Sequence, residues 1–194
     1  MKYLKKWKLF ESVYFVINLS HKGLTKLPVN YNNVNLKWTK AKFYCHNNRL
    51  TSLEGSPKEI GGNFYCRYNE LTSLEGAPKW IGGDFDCRKN KLLSLSGAPT
   101  SVDGDFYCSN NQLTSLDHLP EVSGYIYIAN NPVYWIVKNW IQEPGRRWEK
   151  WEYFQDLNII QDDRVILERL EEFHEVMEIP MPDLEEIKKY YKIV

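Results

Sequence analysis

The chain has 194 residues, a length that suits one domain, with or without an appendage, and allows a substantial core. Lysine plus arginine and aspartate plus glutamate are balanced at 25 each, which argues against a general affinity for nucleic acid or an acidic membrane. The balance hides an asymmetry. Residues 133–194 carry fourteen acidic and nine basic side chains, whereas residues 1–132 carry eleven and sixteen. We attribute this asymmetry to solvated faces of the fold.

The N-terminal segment MKYLKKWKLFESVYFVINL does not have the pattern of a secretory signal. Lysine, glutamate and serine interrupt it where the apolar core of a signal peptide would lie, and no apolar run approaches the roughly 20 residues that span a bilayer. We therefore expect a cytosolic protein. The alternation in KKWKLFESVYFVINL predicts a capping strand, whose edge is protected from pairing with another chain by Lys2, Lys5, Lys6 and Lys8.

The middle of the chain is built from repeats, because its four cysteines are spaced by twenty-one residues each time: Cys45, Cys66, Cys87 and Cys108. In each unit the positions of Phe64 and Cys66 alternate with polar residues, which predicts a strand with one buried face. The pattern continues in VINLSHKGLTKLP before these units and in YIYIANNPV after them. This gives six candidate strands, with five extra residues expected to bulge out near Asn30 to Trp38.

An asparagine follows each strand at a constant position, which predicts a buried ladder whose amides satisfy the backbone of adjacent turns: Asn48, Asn69, Asn90, Asn111 and Asn131. The repeated cysteines behave as small buried apolar residues in a reducing compartment, and their spacing gives neither a disulfide framework nor a zinc pair. Leu71 and Leu74 refill the interior, and Gly76, Pro78 and Gly82 break any helix. Only short extended or 3₁₀ segments fit on the return side.

The repeat resembles the leucine-rich repeat, whose pattern LxxLxLxxNxL is met by Phe64, Cys66, Asn69 and Leu71 over roughly residues 13 to 133. One departure is that glycine occupies the first leucine position of the pattern, at Gly61, Gly82, Gly104 and Gly124. We therefore expect a different return path.

Two phrases, LTSLEGAPKxIGGxFxC and KWEYFQDLNIIQDDRVILERLEEF, resemble leucine-rich-repeat proteins of large tailed bacteriophages, and the short repeats also resemble those of bacterial type III effectors. The resemblance implies an α+β fold. It would be a leucine-rich-repeat solenoid with about six parallel strands on the concave face, little helix on the convex side and an α-helical C-terminal cap. The implied division is 1–132 for the N-terminal cap and repeats and 133–194 for the helical cap. The resemblance brings no established activity.

The C-terminal sixty residues predict helices and an aromatic cap. Apolar positions from Ile166 to Met177 follow helical spacing, with Asp162 and Asp163 placed to cap the start. A shorter helix is expected from Pro132 or Val133 to before Pro144-Gly145, and another from Asp183 to Tyr190. We expect the open end of the solenoid to be closed by Trp135, Trp140, Trp148, Trp151, Tyr153 and Phe154. The alternative is that some of these rings form a partner-binding knob.

The outward side chains of the strands and of the turns after them are the candidate binding residues. Tyrosine and arginine are frequent interface hot spots, so this face suits a protein ligand. The alternative is that tyrosines simply cover a half-exposed sheet. Arg67 and Arg88 would repel each other unless an anion intervenes, and Asp84 and Asp86 are internal candidates. The predicted partner-binding residues are Tyr44, His46, Tyr65, Arg67, Tyr68, Asp84, Asp86, Arg88, Lys89, Tyr107, Tyr125 and Tyr127.

Enzymatic chemistry has little support in the sequence. No serine or cysteine has a recognisable nucleophile setting, no phosphate loop is present, and no cofactor or catalytic residue is predicted. His21 and His46 could approach each other, but we disfavour a metal site because Cys45 should point inward.

Three functions are considered. The first is a non-enzymatic protein-binding module, which in a phage would bind or inhibit a host protein, including a defence factor, in the host cytoplasm. The second is a structural or assembly protein that oligomerises through the aromatic C-terminal region, although a monomer is favoured. The third and weakest is nucleic-acid binding through residues 1–132, because aspartates are interleaved with the basic side chains.

Overall fold

The computed structural model describes residues 16–28, 30–37, 39–142 and 147–194, without the side chains of residues 147 and 148. The predicted N-terminal capping strand before Val16, the predicted helix stop at Pro144-Gly145 and the ring of Trp148 lie outside the described parts. Among the described residues, no helix has the length and the apolar character that a bilayer crossing requires.

The repeats form a β-solenoid of stacked coils with two parallel sheets. One sheet has six strands in the order β1-β2-β4-β6-β8-β10, and the other has four in the order β3-β5-β7-β9, so that about four turns contribute a strand to each sheet. The six predicted repeat strands are thus confirmed. In chain order the strands are β1 (Val16–Asn18), β2 (Lys42–Tyr44), β3 (Glu59–Ile60), β4 (Phe64–Tyr65), β5 (Trp80–Ile81), β6 (Phe85–Asp86), β7 (Ser101–Val102), β8 (Phe106–Tyr107), β9 (Glu121–Val122) and β10 (Ile126–Tyr127).

The register between turns follows the twenty-one-residue period of the cysteines. Phe43 pairs with Phe64, Phe64 with Phe85, and Phe85 with Phe106, and all four rings are fully buried. The four cysteines are free and buried beside them, as predicted. Each of these four turns therefore contributes the same two side chains, and a continuous apolar core runs along the stack.

The asparagine ladder connects successive turns through the interior, as predicted. The Asn69 amide donates to the Cys45 carbonyl at 3.0 Å and to the Cys66 carbonyl at 2.9 Å, and its Oδ1 accepts the Leu50 N–H at 3.0 Å. Backbone groups at this corner of the coil have no strand partner, so the amide supplies the hydrogen bonds that burial would otherwise remove.

The second sheet explains the glycines that replace leucine in the repeat pattern. Its inward residues are buried, as Ile81 is in β5, and the chain then passes very close to the preceding turn. A Cβ on Gly82 would lie 2.9 Å from the Gly61 carbonyl oxygen, too close for any side chain. In the inserted segment, Leu36 forms a parallel bridge with Ile60 and extends this sheet by one turn.

The described part of residues 133–194 combines four helices with a small sheet. Trp140 is fully buried and its ring centroid lies 5.5 Å from those of Phe154 and Phe173, within the same apolar cluster as the repeat phenylalanines. Tyr191 donates to the Thr114 carbonyl at 2.7 Å. The elements are α1 (Tyr134–Val137), α2 (Arg147–Asp156), β11 (Ile160–Gln161), β12 (Arg164–Val165), α3 (Leu167–Val176), α4 (Leu184–Ile187) and β13 (Lys192–Ile193). Strand β12 pairs antiparallel with β11 and parallel with β13.

The predicted caps at the start of α3 are wrong. Helix α3 begins after Ile166, whose side chain cannot cap, and no side-chain capping bond is formed there. Asp162 has a φ of 54° in the turn between β11 and β12, and the Asp163 carboxylate lies 2.7 Å from the Lys192 ammonium. Helix α4, which was predicted from Asp183 to Tyr190, is capped by Asp183, whose carboxylate accepts the Glu185 N–H at 2.9 Å.

Candidate functional site

The outward face of the six-stranded sheet, here called the outer face, carries a column of tyrosines interrupted at one turn. The rings of Tyr44 and Tyr65 stack with centroids 5.2 Å apart, and those of Tyr107 and Tyr127 stack at 4.6 Å. Between the two pairs the column position is occupied by Asp86. The interruption divides the outer face into two aromatic halves with a charged centre.

Asp86 is buried although the strand alternation places it on the outer face, where we predicted a contact residue. Its side chain is 2% exposed, and its carboxylate accepts hydrogen bonds from Arg67 Nη1 at 2.9 Å and from Arg88 Nε and Nη2 at 2.9 and 2.8 Å. Two guanidinium groups on adjacent turns therefore cover one carboxylate. The predicted internal counter-charge for the two arginines is Asp86, and these hydrogen bonds raise the pKa of Arg88.

Each of these arginines also lies against a tyrosine ring. The guanidinium carbon of Arg67 is 5.7 Å from the Tyr65 ring centroid, and that of Arg88 is 4.8 Å from the Tyr107 centroid. The aromatic halves and the charged centre thus hold one another in place. Both arginine side chains nevertheless keep about a third of their surface open to solvent, at 31% for Arg67 and 38% for Arg88.

Asp84 has a structural role that was not predicted from the sequence. Its Oδ1 accepts the Asp105 N–H at 3.1 Å, and Asp105 Oδ1 in turn accepts the Tyr125 N–H at 2.9 Å. Asn63 Oδ1 accepts the Asp84 N–H at 3.2 Å in the same way. This second ladder satisfies the backbone where β6, β8 and β10 begin. Its signal in the sequence is the Asn or Asp that stands one residue before the phenylalanine in three successive repeats.

The residue before each ladder asparagine adopts a left-handed backbone, at Asn47, Tyr68, Lys89, Asn110 and Asn130, as does His21 at the equivalent position of the first turn. Asparagine tolerates this conformation well, whereas tyrosine and lysine do not. Tyr68 and Lys89 are therefore the costly members of the column. Lys89 donates to the Tyr68 hydroxyl at 2.7 Å and lies 4.6 Å from its ring centroid, and this contact lowers the pKa of Tyr68.

His46 lies at one end of this arrangement, against His21. The two ring centroids are 5.3 Å apart, and the Asn47 amide nitrogen lies 2.9 Å from His21 Nε2 and 3.2 Å from His46 Nδ1. Partial burial and the Arg67 charge lower the pKa of His46. In the part of the chain that the structure describes, no group of three or more histidine, cysteine, aspartate or glutamate side chains could hold a metal ion.

The structure brings the predicted binding residues together on the outer face and sets two of them apart in role. Asp86 is enclosed and Asp84 supports the backbone, while Tyr68 and Tyr125 are the most open of the predicted binding tyrosines, at 44% and 49% exposure. Burial raises the pKa of all four cysteine thiols, which makes poor nucleophiles of them. Comparison with protein-family models, with characterised proteins and with solved structures gave no match.

Proposed function

We propose that the protein is a non-enzymatic binding module that holds a protein partner on its outer face. The contact centres on five residues of two adjacent turns, here called the central patch: Arg67, Tyr68, Asp86, Arg88 and Lys89. The observation that carries this proposal is that departures from the repeat pattern concentrate there. Asp86 replaces a tyrosine found in four other turns, Tyr68 and Lys89 replace asparagine, and the two arginines stand where serine occupies positions 20 and 109.

Two of these departures, Tyr68 and Lys89, work against the fold, which is why they support a function. A non-glycine residue in the left-handed region costs of order 1–3 kcal/mol, and least for asparagine. Asn47, Asn110 and Asn130 show which residue the backbone prefers at this position. The central patch also offers two arginines and an exposed tyrosine, residue types that dominate the energetics of protein interfaces.

In this proposal the repeats are of the leucine-rich type, the outer face is the concave side, and residues 133–194 form a helical cap. The burial of Trp140 among Trp151, Phe154 and Phe173 supports the cap, since a solenoid must close its last turn. The resemblance to phage proteins leads us to propose a phage-encoded protein whose partner is a host protein, such as a defence factor, in the host cytoplasm.

The burial of the C-terminal rings also bears on the assembly hypothesis. Trp140, Trp151 and Phe154 are at most 8% exposed and pack inside the chain, so they offer little surface to a second copy. This supports a binding module over an oligomer that forms through the aromatic region.

The test is affinity capture from a bacterial lysate with a patch variant and a matched control. Tyr68→Asn with Lys89→Asn keeps the buried Asp86 cluster and places asparagine where other turns have it. Lys189→Asn with Tyr190→Asn removes the same two residue types from the C-terminal surface, where Tyr190 is 48% exposed. We expect the captured partner to be lost by the patch variant only, and the purified partner to bind directly. Equal retention by the patch variant, or loss with the C-terminal variant alone, would contradict the proposal.

A further inference from the structure

In four consecutive turns of the solenoid, the corner that follows the strand of the six-stranded sheet is strongly basic. Residues 20–22, 46–49, 67–70 and 88–91, here called the basic corner, contain six lysine or arginine side chains and a single acidic one, Glu70. The corners of the last two turns, 109–112 and 129–132, carry no charged residue. The charge is therefore confined to four consecutive turns, and the cationic side chains are Lys22, Arg49, Arg67, Arg88, Lys89 and Lys91.

Backbone hydrogen bonds align these corners one above another. The Asn47 N–H donates to the Arg67 carbonyl at 3.0 Å, and the Tyr68 N–H donates to the Arg88 carbonyl at 3.0 Å. Parallel strands of neighbouring turns are about 4.8 Å apart, so four turns extend over about 14 Å, the length of four or five residues of extended chain.

Most of this positive charge is not neutralised within the described residues. Glu70 lies 3.1 Å from the Lys91 ammonium, and Asp86 is shared by two arginines. Lys22, Arg49 and Lys89 are exposed and have no carboxylate within ion-pair distance in the described parts of the chain. A strip of this kind attracts an anionic chain by charge complementarity.

We propose that the partner docks an acidic peptide segment, rich in aspartate or glutamate, along the basic corner. This inference rests on the proposed function and specifies the chemistry of its ligand. A carboxylate can accept two hydrogen bonds from the open side of a guanidinium, and Lys89 with Tyr68 offers a further pre-positioned contact. An acidic peptide is favoured over nucleic acid because the opposite edge of the outer face carries Asp84 and Asp105, which would repel a phosphate backbone lying across it.

The experiment measures fluorescence anisotropy of labelled decaglutamate, with labelled decaglutamine and single-stranded oligothymidine as comparison probes, at about 50 and 200 mM salt. The test variant is Arg49→Gln with Lys89→Gln, which leaves the Asp86 cluster intact. The control is Lys58→Gln with Lys79→Gln, an equal loss of charge from exposed lysines beside the four-stranded sheet. We expect decaglutamate to bind in preference to both other probes, more weakly at the higher salt, with a roughly tenfold loss for the test variant only.

Several results would overturn the inference. These are decaglutamate binding no tighter than decaglutamine, oligothymidine binding tighter than decaglutamate, and an equal loss in both variants. Failure here is distinct from failure of the proposed function. The protein could fail to bind decaglutamate while Tyr68→Asn with Lys89→Asn still abolishes capture of the partner. That result would keep the outer face as the binding site and would exclude an acidic segment as its ligand.

Discussion

Asn90 shows how one amide holds two turns of the solenoid together. Its Nδ2 donates to the Cys87 carbonyl at 2.9 Å and to the Cys66 carbonyl at 3.2 Å, and its Oδ1 accepts the Leu71 N–H at 3.1 Å. Each of the two carbonyls also accepts a hydrogen bond from a second ladder asparagine. The Leu71 N–H, in contrast, donates to the Asn90 side chain. The cost of losing the amide therefore falls mainly on one buried donor.

Replacing Asn90 with alanine tests the ladder. A buried N–H without a partner costs about 1–3 kcal/mol and the lost bonds add to it, so we expect the free energy of unfolding to fall by about 2–4 kcal/mol. Urea denaturation measures the difference, with Gln112→Ala as the control because that amide is exposed. A loss no larger than that of the control would show that the ladder does not stabilise the solenoid.

At the level of elements, the apolar spacing of the sequence predicted helix α3 but not the strands that lie next to it. Leu170 and Phe173 face the core as the helical period requires. The start of the helix is set by a hairpin instead of a cap, and β12 also pairs with β13, which lies more than twenty residues further along the chain. Two-residue strands carry too little alternation to be recognised, and long-range pairing leaves no local signal in a sequence.

The packing of α3 makes one histidine sensitive to acid. His174 is 2% exposed, its Nδ1 lies 3.3 Å from the Ile179 carbonyl oxygen, and its Nε2 has no hydrogen-bond partner among the described residues. Burial lowers the pKa of His174 below its ordinary value. The folded protein therefore disfavours the charged ring, and the unfolded chain binds the proton more readily.

It follows that stability should fall as the pH drops below about 6.5, the ordinary pKa of histidine, towards the lowered folded value. Thermal unfolding between neutral pH and about pH 5.5 measures this fall. His174→Asn keeps a donor for Ile179 and cannot titrate, so we expect a smaller fall. Part of the acid-induced loss of stability should remain in this variant, because the pKa of His46 is lowered too. An unchanged pH dependence in His174→Asn, matching that of the exposed-site control His118→Asn, would exclude His174 as its source.

For the whole molecule, the repeat pattern of the sequence, with its cysteine period, its continuation on both sides and its constant asparagine, was enough to predict six stacked strands, the buried thiols and the asparagine ladder. It could not predict the second parallel sheet, because segments such as Trp80–Ile81 are too short and are followed by glycines. The burial of Asp86 was also hidden. Strand alternation places its side chain outside, and two arginines from adjacent turns lie over it. Side chains that fold back on a surface depend on tertiary contacts, which the repeat pattern does not contain.

The central claim is that the central patch serves a partner and not the fold. The direct measurement is the free energy of unfolding of a variant in which each patch residue is replaced by the residue that other turns carry: Arg67→Ser, Tyr68→Asn, Asp86→Tyr, Arg88→Ser and Lys89→Asn. Removing a buried ion cluster as a whole is often neutral, and asparagine relieves two left-handed positions. We predict a stability equal to that of the natural chain, or higher by about 1 kcal/mol. A decrease of more than about 2 kcal/mol would contradict the claim, since it would show that the solenoid itself requires these side chains.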